Sequence, residues 1–319
     1  MISPKDIENR TDAWPGVVRT VTPDILIHLH IPKAGGAALN SMVQHGFRSD
    51  EIFDTTVVRS EQFNGLGLAP LEICRQLIAS FAPHELQRIR YVTGHLPMGL
   101  HRLFDGVAKY FTVVRNPVDR VISDFFFRIQ ENEPYCKEGK RLEFEEYVES
   151  RYDIYLRDYQ VRIISGCPEL EGERPQLGMQ TPGPAVERHH LEQAKRNIEE
   201  HFLTIAPLEN MIEMALLVRI IYGWPMRRLL TEYKARTRGR PRRQDVSPRA
   251  LKIIEECNSH DLELYEWVDK RFAAQRQLFQ PELSKDERVF GAVSRTLNTV
   301  GRMIPWSARK RIAQALFYA

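Results

Sequence analysis

A parallel β-sheet with helices on its faces is predicted by two observations. Short β-branched or aromatic runs alternate with longer segments of helical period, and glycine, proline or asparagine stands where strand hands over to helix. Residues 25–30 (ILIHLH) are the first strand. They run through Pro32-Lys33-Ala34-Gly35-Gly36 into a helix whose apolar Leu39, Met42, Val43 and Phe47 recur at helical spacing. Residues 90–93 and 110–114 read as further strands, and the second feeds Asn116-Pro117, where proline suits the first turn of a helix. That helix buries Val118, Val121, Ile122, Phe125 and Ile129. A strand at 202–206 precedes a helix that opens at Glu209 and stops at Gly223 and Pro225. From Ser247-Pro248 a strongly helical pattern reaches about Phe272, while 169–184, rich in Gly, Pro and charge, reads as a surface loop.

Of 319 residues, 43% are hydrophobic and 27% charged, which excludes disorder, collagen and coiled coil and leaves room for a large core. One α/β domain is expected over 24–275, with a lead-in at 1–23 and a basic amphipathic extension at 276–319. Forty-five Lys plus Arg against 42 Asp plus Glu leave a net charge of +3, too balanced for nucleic-acid binding. Attraction for an anion must be local. The four cysteines, Cys74, Cys136, Cys167 and Cys257, lack zinc-ribbon or dithiol spacing and fit a reducing compartment. The first twenty residues carry no apolar run, and no later stretch reaches a membrane span, so a cytoplasmic location is expected. After Glu287 no acidic residue occurs, while Arg288, Arg295, Arg302 and Arg309 recur every seven positions. Such a segment either lies on an anionic membrane surface, as at the inner face of a membrane, or docks as a helix on its own domain.

Two constellations can carry chemistry. In His30-Ile31-Pro32-Lys33-Ala34-Gly35-Gly36-Ala37-Ala38, between strand and helix, the glycines let backbone approach a phosphate. The helix N-terminus turns unpaired N–H groups toward it. This is not a Walker A loop, because Lys33 precedes the glycines and no hydroxyl follows them, so magnesium-dependent nucleotide chemistry is disfavoured. In Arg115-Asn116-Pro117-Val118-Asp119-Arg120-Val121-Ile122-Ser123, Ser123 falls opposite the buried stripe and is expected to be free to meet a ligand. Arg115 stands at the carboxyl end of its strand, where ligands of open α/β sheets gather, and its fork with a hydroxyl suits a phosphate.

These two motifs resemble the 5′-phosphosulfate and 3′-phosphate motifs of sulfotransferases that use 3′-phosphoadenosine 5′-phosphosulfate (PAPS), especially the branch containing heparan sulfate 2-O-sulfotransferase. Further matches follow in the same order: Gly94-His95, Tyr159-Gln160-Val161-Arg162, Ile205-Ala206-Pro207-Leu208-Glu209, and Asn258-Ser259-His260-Asp261-Leu262-Glu263-Leu264-Tyr265. The resemblance implies a P-loop-like single domain, with Lys33 at the oxygen bridging phosphate and sulfate. The backbone of Ala34, Gly35, Gly36, Ala37 and Ala38 would cradle the phosphosulfate, and Arg115 and Ser123 would hold the 3′-phosphate. Threonine usually follows the lysine in this family, and hydroxyl residues follow the glycines; here Ala34, Ala37 and Ala38 supply none.

Sulfuryl transfer to a hydroxyl needs positioning, charge stabilisation on the departing phosphate and a base for the acceptor proton. His95, after the strand ending near Gly94, is the candidate base, and the resemblance gives it the same role. The Arg236, Thr237, Arg238, Arg240, Arg242 and Arg243 segment either contacts the adenosine bisphosphate end or an acidic glycan, or is a solvated loop. His28 and His30 share a strand face but make a weak metal signal. The expected activity is sulfuryl transfer from PAPS to a hydroxyl of a glycan or glycolipid, without a metal, releasing adenosine 3′,5′-bisphosphate. A nucleotide-dependent kinase and a non-catalytic nucleotide-binding protein of the same fold are the rival readings.

Overall fold

The computed structural model describes residues 22–55, 70–95, 98–131, 134–137, 140–170, 183–229 and 241–303. Within them lie strands β1 (Ile25–Leu29), β2 (Ile52–Asp54), β3 (Tyr91–Gly94), β4 (Ala108–Val114), β5 (Cys136–Lys137), β6 (Lys140–Arg141) and β7 (Phe202–Pro207). Five of them form one parallel sheet in the order β2-β3-β1-β4-β7, and β5 with β6 makes a separate antiparallel pair. The helices longer than one 3-10 turn are α1 (Gly36–Val43), α2 (Pro70–Ser80), α3 (Pro83–Leu86), α4 (Pro117–Gln130) and α5 (Phe144–Ser150). They continue with α6 (Tyr159–Ser165), α7 (Arg188–His201), α8 (Met211–Tyr222), α9 (Pro248–Cys257), α10 (Ser259–Leu278) and α11 (Gln280–Met303).

Strands β1, β3 and β7 are buried along their whole length, as parallel strands covered on both faces must be. Their side chains alternate between two cores. Ile25, Ile27 and Leu29 pack with Val92, Tyr110 and residues of α7 and α10 on one face. Leu26 packs with Tyr91, Phe111 and residues of α1 and α8 on the other. A third core, Val118, Val121, Ile122 and Phe125 of α4 with Phe144 and Tyr147 of α5 and Ile253 and Ile254 of α9, extends beyond the sheet.

The predicted strands are present within a residue or two of their expected ends. Edge strand β2 was not predicted, because three residues are too few to show a period. The expected helix at Glu209 begins at Met211 after one 3-10 turn and ends at Gly223, whose φ is 64°. The helical pattern after Ser247 is two helices, split where Asn258 donates from Nδ2 to the carbonyls of Ile254 (2.8 Å) and Leu156 (2.7 Å).

At the C-terminal side, α11 docks on α8. Leu283 is fully buried, Phe290 packs against the same core, and Asp286 pairs with Arg219 at 2.8 Å. Among the described residues no helix is long and apolar enough to cross a membrane.

Strand β1 lies between β3 and β4, so the strands that follow it in the chain add on both of its sides, the arrangement at which open α/β sheets bind ligands beyond the carboxyl ends of their strands. Leu29 pairs with Gly94 and His30 donates its N–H to the Gly94 carbonyl (3.1 Å), so the loops after β1 and β3 emerge side by side.

Candidate active site

The loop after β1 is shaped by its own residues and by what lies beneath them. Lys33 has a φ of 64° and Gly35 a φ of 98°, so the chain turns twice through the left-handed region before α1 begins. At Gly35 a Cβ would meet Leu208 Cδ1 at 2.3 Å, and at Gly36 it would meet His30 Cδ2 at 2.1 Å. Glycine is needed at 35 for conformation and at 36 for the space of an imidazole. The Ala34 and Ala38 N–H groups donate to the carbonyls of Ile31 (3.3 Å) and Gly35 (3.0 Å), whereas Gly36 and Ala37, at the start of α1, precede the helical hydrogen-bond ladder.

Two carbonyls of this loop reach the other predicted residues. His95 Nδ1 lies 2.9 Å from the His30 carbonyl. A carbonyl only accepts, so Nδ1 carries the proton and Nε2 of the neutral ring keeps its lone pair. The His95 ring also stacks on His30 with centroids 4.0 Å apart. Three residues on, the Lys33 carbonyl accepts from Arg115 Nη1 at 3.1 Å. The Lys33 ammonium lies over the Phe127 ring of α4, 3.3 Å from its centroid. Thus Lys33, His95 and Arg115, predicted on three separate segments, meet around one loop.

Arg115 is buried, with 8% of its surface exposed. Its peptide is held from both sides by Gln160, whose Oε1 accepts the Arg115 N–H and whose Nε2 donates to the Arg115 carbonyl, each at 2.8 Å. Ser123 differs from its expected setting. It is only 2% exposed, and Arg120 on the same helix is wholly buried, so α4 is covered beyond its apolar stripe. Ser123 is therefore enclosed beside α4 rather than presented to solvent. Ala34 is fully buried in the core with Ile31, Ala37 is exposed and Ala38 half-buried. At position 34 this chain uses its side chain for packing. Arg236, Thr237, Arg238 and Arg240 lie outside the described residues.

The supporting motifs converge as well. Tyr265 donates to Glu209 Oε2 at 2.9 Å, and Leu208 underlies Gly35. Asp261 accepts the N–H groups of Gln160 (3.0 Å) and Val161 (2.7 Å). Burial, with Asp158 beside it, pushes the Asp261 carboxyl up to about 6. Sequence reasoning quoted Gln160 and Asp261 as family patterns without a role, and it missed Phe127, whose helical position on α4 carries no signal of its own.

His28 sits behind the site, 1% exposed between Phe111 and His30, with Nδ1 at 3.1 Å from Thr93 Oγ1. Burial, and then the neighbouring His95, lower its pKa from 6.5 to about 3. In the unfolded chain it regains its ordinary value, so between about pH 6.5 and 3 the unfolded state binds the extra proton and stability falls as pH falls. The raised Asp261 works in the opposite sense between about 4 and 6, over a narrower span. Acid destabilisation is the expected net result. In melting curves from pH 7 to 4, His28→Gln is expected to show a flatter dependence than wild type; parallel curves would place the acid sensitivity elsewhere.

Among the described residues, one cluster has metal-like spacing: Cys167, Glu169 and His190. His190 Nδ1 accepts the Glu187 N–H at 2.9 Å, which leaves the proton on Nε2, the atom facing Glu169 at 3.2 Å. That nitrogen is a donor here rather than a metal ligand.

Residues 23–161 match the family model described as sulfotransferase domain, and this stretch contains Lys33, His95, Arg115, Ser123 and Gln160. Over 199 residues the chain is 27% identical to the uronyl 2-sulfotransferase of Mus musculus, covering 57% of this chain and 46% of that protein. It is 25% identical to the uronyl 2-sulfotransferase of Homo sapiens over 187 residues, covering 53% and 44%. The match spans less than half the length of either relative. The matched stretch includes the whole run from β1 to the first turn of α6, and therefore both the loop and the helix turn that hold Arg115.

Proposed function

We propose that this protein moves a sulfuryl group from PAPS to a hydroxyl of a carbohydrate acceptor. The observation that carries the reading is the loop itself: the segment bearing Lys33 uses the carbonyls of His30 and Lys33 to hold His95 and Arg115. A cation, a base and an anion-binding fork thus share one sheet edge, beside the open N–H groups of α1. The residues fit a doubly phosphorylated nucleoside, with the loop backbone and Lys33 at the phosphosulfate and Arg115 at the 3′-phosphate, near enclosed Ser123. The donor, when bound, supplies the sulfuryl group and a phosphate that leaves with negative charge.

This chain's own work is then threefold. His95 Nε2 takes the proton of the acceptor hydroxyl as that oxygen bonds to sulfur, while the bond from sulfur to the bridging phosphate oxygen breaks. Lys33 leaves the Phe127 face to neutralise the departing oxygen, and the N-terminus of α1 favours the same negative charge. Arg115, held at its peptide by Gln160, anchors the far end of the nucleoside. The glycan class follows the uronyl 2-sulfotransferases that the chain resembles. Transfer of labelled sulfate from PAPS to a panel of hydroxylated glycans and lipids, run with and without a chelator, tests the proposal. Chelator-resistant labelling of a glycan is expected. Magnesium-dependent labelling from a nucleoside triphosphate would replace it with a kinase.

The alanines at 34, 37 and 38 motivate a second reading, in which the nucleotide is bound but not turned over. Both readings require Arg115. Replacing it with alanine is expected to weaken adenosine 3′,5′-bisphosphate binding roughly 10- to 100-fold by calorimetry, the scale of a hydrogen bond to a charged group. Unchanged affinity would remove Arg115 from the site.

A further inference from the structure

Strand β4 ends at Val114, so the peptide of Arg115 has passed beyond the sheet ladder and must find other partners. Gln160, itself fully buried, supplies both: its amide accepts from the Arg115 N–H and donates to the Arg115 carbonyl, as a neighbouring strand would. Gln160 belongs to the first turn of α6, and that turn is fastened by a carboxylate from a distant segment. Asp261, also fully buried, accepts the Gln160 and Val161 amides on its two oxygens. Its own N–H donates to Asp158 Oδ1 at 2.8 Å, and the Asp158 N–H donates to Asn258 Oδ1 at 3.1 Å. Asn258 in turn donates to the carbonyls of Leu156 and Ile254. An unbroken set of buried hydrogen bonds therefore runs from the α9–α10 junction through α6 to the backbone of Arg115, whose guanidinium reaches the Lys33 carbonyl.

We propose that Gln160 and Asp261 are positioning residues: they set the Arg115 backbone in place before ligand arrives and so determine affinity for the 3′-phosphate end of the nucleotide. The proposal rests on the reading of Arg115 given above. Its physical basis is preorganisation. A long side chain on an untethered turn loses rotamer and backbone freedom on binding, whereas one whose peptide is already clamped loses less. Nothing in this argument requires either residue to touch the ligand.

The test is a double-mutant cycle on the full chain, read by calorimetry with adenosine 3′,5′-bisphosphate. Gln160→Met keeps the side-chain length and removes both hydrogen bonds. It is expected to weaken binding about tenfold in the wild-type background, by loss of preorganisation, and less than about twofold beside Arg115→Ala, since coupled residues are non-additive. Asp261→Asn is expected to act in the same direction. In turnover, both are expected to raise KM for PAPS while leaving kcat at saturating PAPS within about twofold, a split that general loss of folded protein does not produce. A tenfold loss in both backgrounds would overturn the relay while keeping Arg115 in the site. An Arg115→Ala protein that binds like wild type would overturn the site reading beneath it. Amide hydrogen exchange on the ligand-free wild type needs no variant: the Arg115 amide is expected to exchange as slowly as the core of β4. Exchange at the rate of an open turn would overturn the clamp.

Discussion

Replacing His95 with alanine is expected to lower kcat for sulfuryl transfer by about 10²–10⁴-fold, the usual worth of a positioned general base. Affinity for adenosine 3′,5′-bisphosphate should stay within about twofold of wild type. The expectation follows from the tautomer. With the Nδ1 proton committed to the His30 carbonyl, Nε2 is the atom left to accept a proton, and the stack on His30 fixes its direction. His95→Asn makes the comparison sharper, because the asparagine Nδ2 can occupy the place of Nδ1 and keep the carbonyl bond while no basic nitrogen remains. Single-turnover rates and calorimetry on both variants check this. Turnover retained in His95→Asn would pass the base role to another group; turnover retained only there, and lost in alanine, would make His95 a support for the loop.

Lys33→Met is expected to lower kcat about 10²–10³-fold, in the range seen when one donor aimed at a developing oxyanion is removed. Binding of the product nucleotide should change far less, because the contact that joins this residue to Arg115 is made by its carbonyl and survives any side-chain replacement. Methionine keeps the stem that crosses Phe127 and deletes the charge. In the proposed mechanism the separation of rate from affinity lies in which atoms do what: the Lys33 side chain serves the leaving group, while its carbonyl holds Arg115. A loss of nucleotide affinity with kcat unchanged would show that the ammonium grips the ground state as strongly as the transition state.

Much of this site was legible because its parts are local. Lys33, Gly35 and Gly36 belong to a strand–loop–helix unit whose period changes within a dozen residues, and Asn116-Pro117 marks the start of α4 without help from the rest of the chain. His95 could be placed because it follows a strand of the same sheet. Ser123 shows where local reasoning stops. The apolar stripe of α4 reads as buried from its spacing, but Arg120, Ser123 and Asp124 outside that stripe are buried as well, and nothing in the pattern of α4 itself announces the segments that close over them. Gln160 and Asp261 were visible as letters in a family pattern, yet their work consists of hydrogen bonds across 45 and 101 positions. Phe127 offered even less, since an aromatic residue on an amphipathic helix looks the same whether it packs or holds a cation.

Taken alone, the amino-acid order was enough to determine the parallel α/β architecture and to mark the two strand–turn–helix segments proposed to bind the donor. Each depends on short-range spacing: alternation in strands, helical period, and glycine where the backbone must turn or be approached closely. Only the tertiary structure decided that the carbonyls of His30 and Lys33 are the atoms joining those turns, and that Arg115 is held in position by Gln160 through Asp261. Such contacts are chosen when distant segments close on one another and every buried polar group must find a partner, a requirement that acts on the folded molecule as a whole.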